Sequence, residues 1–156
     1  MMRLSRLADF AVVAMTHMAM DPQKVHTAAR VAAATRLPAP TVAKVLARLC
    51  REGLLASIRG ANGGYRLDRP AGSISVGAIV GAFDGPVALT QCIKPGSSPC
   101  EVEPVCPSRA GLHSINLAVR KALHDVSLAD LTLSAAALQA AKPPSQRPSP
   151  AAKAPH

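Results

Sequence analysis

Only three aromatic residues, Phe10, Tyr65 and Phe83, stand among 156, and there is no tryptophan, so the chain has almost no large side chains from which to build a core. Yet 49% of its residues are hydrophobic, so burial must be assembled from alanine, valine, leucine, isoleucine and methionine. Side chains of that size suit helices that approach one another closely. The expected fold is therefore mainly α, with one domain, or a small domain plus an appendage, at this length.

Helical periodicity bears this out from the first residues. Leu7, Phe10, Ala11, Ala14, Met15 and Met18 fall at i, i+3, i+4 spacing behind Ser5, a candidate N-cap. The opening run MMRLSRLADFAVVAMTHMAM has the arginines of a signal peptide, but Asp9, Thr16 and His17 interrupt its apolar stretch. A buried first helix explains it better, ending near Asp21-Pro22. No stretch is long and apolar enough to span a bilayer, and the expected setting is cytoplasmic, with no membrane partner. A second helix is expected from Thr27, then a Leu37-Pro38-Ala39-Pro40 turn, then a helix from Thr41 to Arg51 with Val42, Val45, Leu46 and Leu49 on one face. Helix, tight turn, helix is the DNA-binding helix-turn-helix pattern.

Gly53 stops that third helix. Two strand-like runs, Leu54 to Ile58 and Tyr65 to Leu67, then flank Arg59-Gly60-Ala61-Asn62-Gly63-Gly64, where the glycines are expected to supply the positive φ of a tight hairpin. A hairpin directly after a recognition helix is a wing. Residues 1–70 carry eleven lysines and arginines against four acids, whereas residues 71–141 carry four against five, so the positive charge lies where the wing and helices are. Double-stranded DNA is the partner this implies. The candidate contacts are Thr41, Lys44 and Arg48 on the recognition helix and Arg59, Gly60 and Asn62 on the wing; the bland alternative is a solvated basic surface.

Downstream, Ser75 to Phe83 reads as a short helix. Arg109 to Val126 reads as a long one, with Leu112, Ile115, Val119, Leu123 and Val126 in a near-heptad stripe. One small domain offers little for so long a stripe to pack against, so residues 109–126 are assigned to a homodimer interface. Ser127 with Asp130 forms a capping box for a last short helix. The resulting division is a winged helix-turn-helix domain over 1–90, a cysteine loop over 91–108, the dimerisation helix and a short C-terminal helix over 109–140, and a disordered proline-rich tail over 141–156.

Cys92, Cys100 and Cys106 fall in a loop rich in proline, glycine and serine, spaced by seven and then five residues. Clustered thiols in a reducing cytosol point to metal or redox chemistry over a disulfide. The spacing lacks the close pairs of most structural zinc sites, although three cysteines and one further ligand still admit zinc. Three widely spaced thiolates suit an iron-sulfur cluster with a fourth ligand from elsewhere. Free redox thiols are the plainer alternative. His113, His124 and Asp9 are the fourth-ligand candidates. Cys50, on the third helix, reads as a packing residue. No catalytic pairing or phosphate-binding glycine loop is apparent, so neither an enzyme nor a small-molecule substrate is expected.

Arg3-Leu4-Ser5, the wing motif from Arg59 through Tyr65, and three loop cysteines ahead of a long helix together resemble the Rrf2 family of bacterial transcription regulators. The segments from Leu37 to Leu46 and from Gly85 to Cys92 are most similar to regulators of the SUF iron-sulfur assembly operon. The resemblance covers about residues 2–135. It implies a homodimer crossing over through the long helix, with a cluster on Cys92, Cys100 and Cys106. Members with a histidine ligand carry it three residues after the last cysteine, where this chain has Arg109. Others use a carboxylate of helix one supplied by the partner subunit, and Asp9 matches that position. The resemblance thus favours a 4Fe-4S cluster over 2Fe-2S. The expected function is a cluster-sensing repressor of the SUF genes; the alternative is a zinc-stabilised or cluster-free winged-helix repressor responding to redox or nitric oxide stress.

Overall fold

The computed structural model describes residues 3–93 and 100–140; the tail over 141–156 lies outside the described residues. Helix α1, Arg6–Ala19, begins as its cap dictates: the Ser5 hydroxyl accepts the Ala8 N–H at 3.1 Å, and Asp84 accepts the Ser5 N–H at 2.9 Å. Its buried face is Ala8, Ala11, Ala14, Met15, Met18 and Ala19. That is a rotation from the expected stripe, for Leu7 is exposed and Phe10 only half-buried. The alanines explain it, because a face of methyl groups lets neighbouring helices come closer than Leu7 would allow.

Helix α2, Ala28–Thr35, is capped by Thr27, whose hydroxyl accepts the Arg30 N–H. Helix α3, Ala39–Arg51, starts two residues before the expected Thr41 and takes in Pro40. The first-turn amides of a helix have no intrahelical partner, so proline loses no hydrogen bond there and its φ already suits the helix. The far end closes as a Schellman motif: Leu54 N–H donates to the Leu49 carbonyl and Gly53 N–H to that of Cys50, with Gly53 at φ 69°. Val42, Val45, Leu46 and Leu49 are buried as expected.

Strands β1, Leu55–Ile58, and β2, Gly64–Leu67, pair antiparallel from Leu55 opposite Leu67 to Ile58 opposite Gly64. A further bridge joins Tyr65 to His26, with both backbone hydrogen bonds at 2.8 Å, and fastens the hairpin to the start of α2. The wing glycines work differently from expectation. Gly60 alone among them has positive φ, 114°. Gly63 and Gly64 are there for space: a Cβ on Gly63 would lie 2.5 Å from the Ile58 carbonyl oxygen, and one on Gly64 2.5 Å from that of His26.

Helix α4, Val76–Asp84, is capped by Ser75 and buries Ile79, Val80 and Ala82. Helix α5, Arg109–Asp125, ends within a residue of its expected bound. Helix α6, Leu128–Ala140, is thirteen residues and not the short helix expected. It is anchored at its start by the Ser127–Asp130 capping box, by Leu128 N–H donating to the Ile74 carbonyl at 2.7 Å, and by the wholly buried Leu128 side chain. The rest of α6 lies along α1. The architecture is thus mainly α with a two-stranded wing. One core, centred on Met15, Met18, Leu46, Leu49, Ile79 and Leu128, unites the helices around α1.

Candidate cysteine centre and nucleic-acid interface

Gly85, at φ 74°, turns the chain out of α4 toward the cysteine loop. A single 3-10 turn, Gln91–Ile93, carries Cys92, and a second, Glu103–Val105, precedes Cys106. All three loop cysteines are free and half-buried. The Thr90 hydroxyl lies 3.2 Å from Cys92 Sγ. Cys92 and Cys106 line one cavity of about 780 Å³ together with Glu103, Arg109 and His113. Residues 94–99, between Cys92 and Cys100, lie outside the described residues. Among the described residues, no three histidine, cysteine, aspartate or glutamate side chains converge as a finished ligand set. The donor chemistry nonetheless fits an iron-sulfur centre, since free thiols partly shielded from water are what such a centre requires.

The candidate fourth ligands separate clearly. Arg109 pairs with Glu103 at 3.0 Å in the cavity wall, and a guanidinium has no lone pair to offer a metal. His124 is engaged elsewhere: its Nδ1 lies 3.1 Å from the Ser75 hydroxyl, and its ring sits where a Cβ on Gly77 would be, 2.8 Å away. His113 faces the cavity. Asp9 does not line it; this residue is exposed in the first turn of α1, on the side opposite the buried alanines. A single chain therefore brings His113, and not Asp9, to the cysteines.

The basic half of the molecule presents α3 and the wing. Lys44, Arg59, Gly60 and Asn62 are exposed, and Thr41 is half-buried in the first turn of α3. The ion pairs among the described residues are Lys24–Asp21, Arg109–Glu103 and Lys121–Asp125, so no carboxylate neutralises Lys44 or Arg59. Arg48, also exposed, makes a contact that helical phase does not predict. Its Nε donates to the Ala82 carbonyl at 2.6 Å and its guanidinium carbon sits 5.3 Å from the centre of the Phe83 ring, so it joins α3 to α4. Helical phase placed it off the apolar stripe, but phase cannot show a neighbouring helix within reach.

Comparison with known proteins decides the family. A sequence model of Rrf2, described as an iron-dependent transcriptional regulator, matches residues 4–133. The chain belongs to the Rrf2 family. The HTH-type transcriptional regulator NsrR of Halalkalibacterium halodurans is 29% identical over 140 residues, covering 89% of this chain and 96% of its own. Among solved structures, T. potens IscR superposes with a TM-score of 0.70 at 23% identity, over 91% of this chain and 94% of that one. CymR, the global cysteine regulator of B. subtilis, gives 0.68 at 24% identity, over 86% and 98%. At those identities the likeness establishes the fold, a winged helix. As an Rrf2 protein the chain is a DNA-binding transcription regulator and not an enzyme. No helix among the described residues is long and apolar enough to cross a membrane.

Proposed function

We propose that this Rrf2 regulator is a homodimer that senses an iron-sulfur cluster and represses genes for cluster assembly of the SUF type. Cys92, Cys100 and Cys106 would hold the cluster, with 4Fe-4S favoured, and Asp9 of the partner subunit would supply an oxygen ligand. When bound, such a group offers a centre whose loss or oxidation alters what its ligands can hold together. Three free, half-buried thiols on one loop, two of them sharing a cavity at the start of α5, carry this reading.

The rest follows from where the chain places its other groups. The α5 stripe runs from half-buried Leu112 through Ile115, 54% exposed, to Val119 and Leu123, half-buried toward α4 and the segment after it, and to exposed Val126, so Ile115 and Val126 are what one chain leaves open. A second copy of the same stripe is the natural cover, over residues 109–126. Across that dimer an Asp9 carboxylate on one subunit and cysteines on the other would tie the first helix of a DNA-binding domain to the opposite half. Thr41 and Lys44 in the first turns of α3 would reach base edges and phosphates, and Arg59, Gly60 and Asn62 on the wing would meet the flanking backbone or minor groove. Arg48 would act behind them, holding α3 at its angle to α4. An operator site on double-stranded DNA would then be read by two wings whose spacing depends on the tie.

Anaerobic purification followed by iron, sulfide and zinc analysis and an absorption spectrum tests the reading. Iron and acid-labile sulfide in comparable amounts, with visible charge-transfer absorption, are expected. Zinc without sulfide would replace the proposal with a zinc-stabilised repressor, and absence of all three from protein that still binds operator would replace it with a cluster-free one.

A further inference from the structure

We infer that Asn116 is a positioning residue that fixes the backbone entering Cys92 to the dimer helix, so that the cysteine turn and α5 move as one unit. Asn116 is the single buried residue of α5, 1% exposed, while its neighbours Ile115 and Leu117 are 54% and 50% exposed. A buried amide is retained where it has a partner. Its Oδ1 accepts the Leu89 N–H at 3.1 Å, across 27 residues of chain. Leu89 leads straight into Thr90, whose hydroxyl lies 3.2 Å from Cys92 Sγ and whose carbonyl accepts the Ile93 N–H at 3.2 Å. The turn that carries Cys92 is therefore attached to α5 through the Asn116 side chain.

The position of Asn116 on the helix gives that attachment its meaning. Arg109, His113 and Asn116 follow one another at i, i+4, i+7 and share a face, and the first two line the cavity with Cys92 and Cys106. The adjoining face carries Ile115 and Val119 of the apolar stripe. A leucine at 116 would fill similar volume but leave the Leu89 N–H without its acceptor, so the amide is explained by the hydrogen bond and not by packing. A change at Cys92 would then be felt as a shift of the helix proposed to join the two subunits. This consequence rests on Cys92 being a cluster ligand; the contact itself belongs to the metal-free chain.

The test accordingly uses reduced, metal-free, full-length protein, with alkylation by iodoacetamide followed cysteine by cysteine in peptide mass spectrometry. Asn116→Leu is expected to speed alkylation of Cys92 ~3–10-fold, the effect of one hydrogen bond on a local opening. Cys106 and Cys50 should keep their rates, Cys50 reporting on the DNA-binding core. Asn116→Asp, which keeps an acceptor at the same place, should leave Cys92 near the wild-type rate. An unchanged Cys92 in Asn116→Leu, equal acceleration of all three cysteines, or an Asn116→Asp protein that behaves like Asn116→Leu would each overturn the inference. None of these rates depends on which metal centre the loop holds, so failure here is distinguishable from failure of the cluster reading.

Discussion

Asp9 stands in the first turn of α1 on the helix side turned away from the core, exposed in one chain and outside the cysteine cavity. A carboxylate there already has a structural use, since the N-terminal end of a helix favours negative charge. Ligation from a second subunit is a further use, and the two separate on substitution. Asp9→Ala in anaerobically reconstituted protein is expected to change the visible spectrum and speed cluster loss, with dimer mass unchanged; spectra and lifetimes equal to wild type would leave Asp9 as a helix-end charge alone. The sequence drew attention to the three cysteines because their type is scarce and chemically distinctive, and the family resemblance to Asp9. It could not show that Arg48 turns onto Ala82 and Phe83. Nor did it single out Asn116, since a lone polar residue in a helical pattern looks solvated until the neighbouring segment is placed.

Among the elements, the wing is where local chemistry and tertiary contact part company. The caps at Ser5, Thr27 and Ser127 were legible because each is a matter of a few adjacent residues. The need for Gly64 was not, because its neighbour His26 lies far back in the chain. Gly64→Ala should lower unfolding stability by ~1–3 kcal/mol through overpacking against backbone, measured by urea denaturation; unchanged stability would mean the bridge between Tyr65 and His26 is free to shift. The same corner holds a titrating group. His17 has its pKa lowered from the ordinary 6.5 by burial first, then by His26 and Lys24 nearby, and its ring meets that of His26 edge-on at 5.9 Å. A group with a depressed folded pKa contributes stability above its unfolded value and loses it as the pH falls toward the folded one. Melting temperature should therefore drop as pH is lowered below 6.5, and His17→Gln should flatten that drop. A wild-type curve level across this range would contradict it. Asp130, held below the usual carboxylate range by hydrogen bonds from Ser127, belongs to a lower and separate window.

For the whole molecule, α5 connects the two halves of the account. Its apolar stripe was legible from periodicity; one chain half-buries Leu112, Val119 and Leu123, with α5 packed on α4, and leaves Ile115 and Val126 exposed. Ile115→Glu is expected to convert a dimer to monomers in sedimentation equilibrium without unfolding the winged helix, because the residue is already exposed in a single chain; a persisting dimer would place the interface elsewhere. What periodicity could not supply is the distance between the cysteine loop and the DNA-reading surface, which depends on how α4, Gly85 and the start of α5 are stacked. Control of DNA binding across that distance is a matter of coupling, and coupling is a difference in affinity between two states. Operator affinity of the anaerobic, cluster-loaded protein should be measured against that of the cluster-free protein at one fixed salt concentration, by anisotropy on the same duplex. The two are predicted to differ by about 5–150-fold, and equal affinities would contradict the claim that the cysteine loop controls DNA binding.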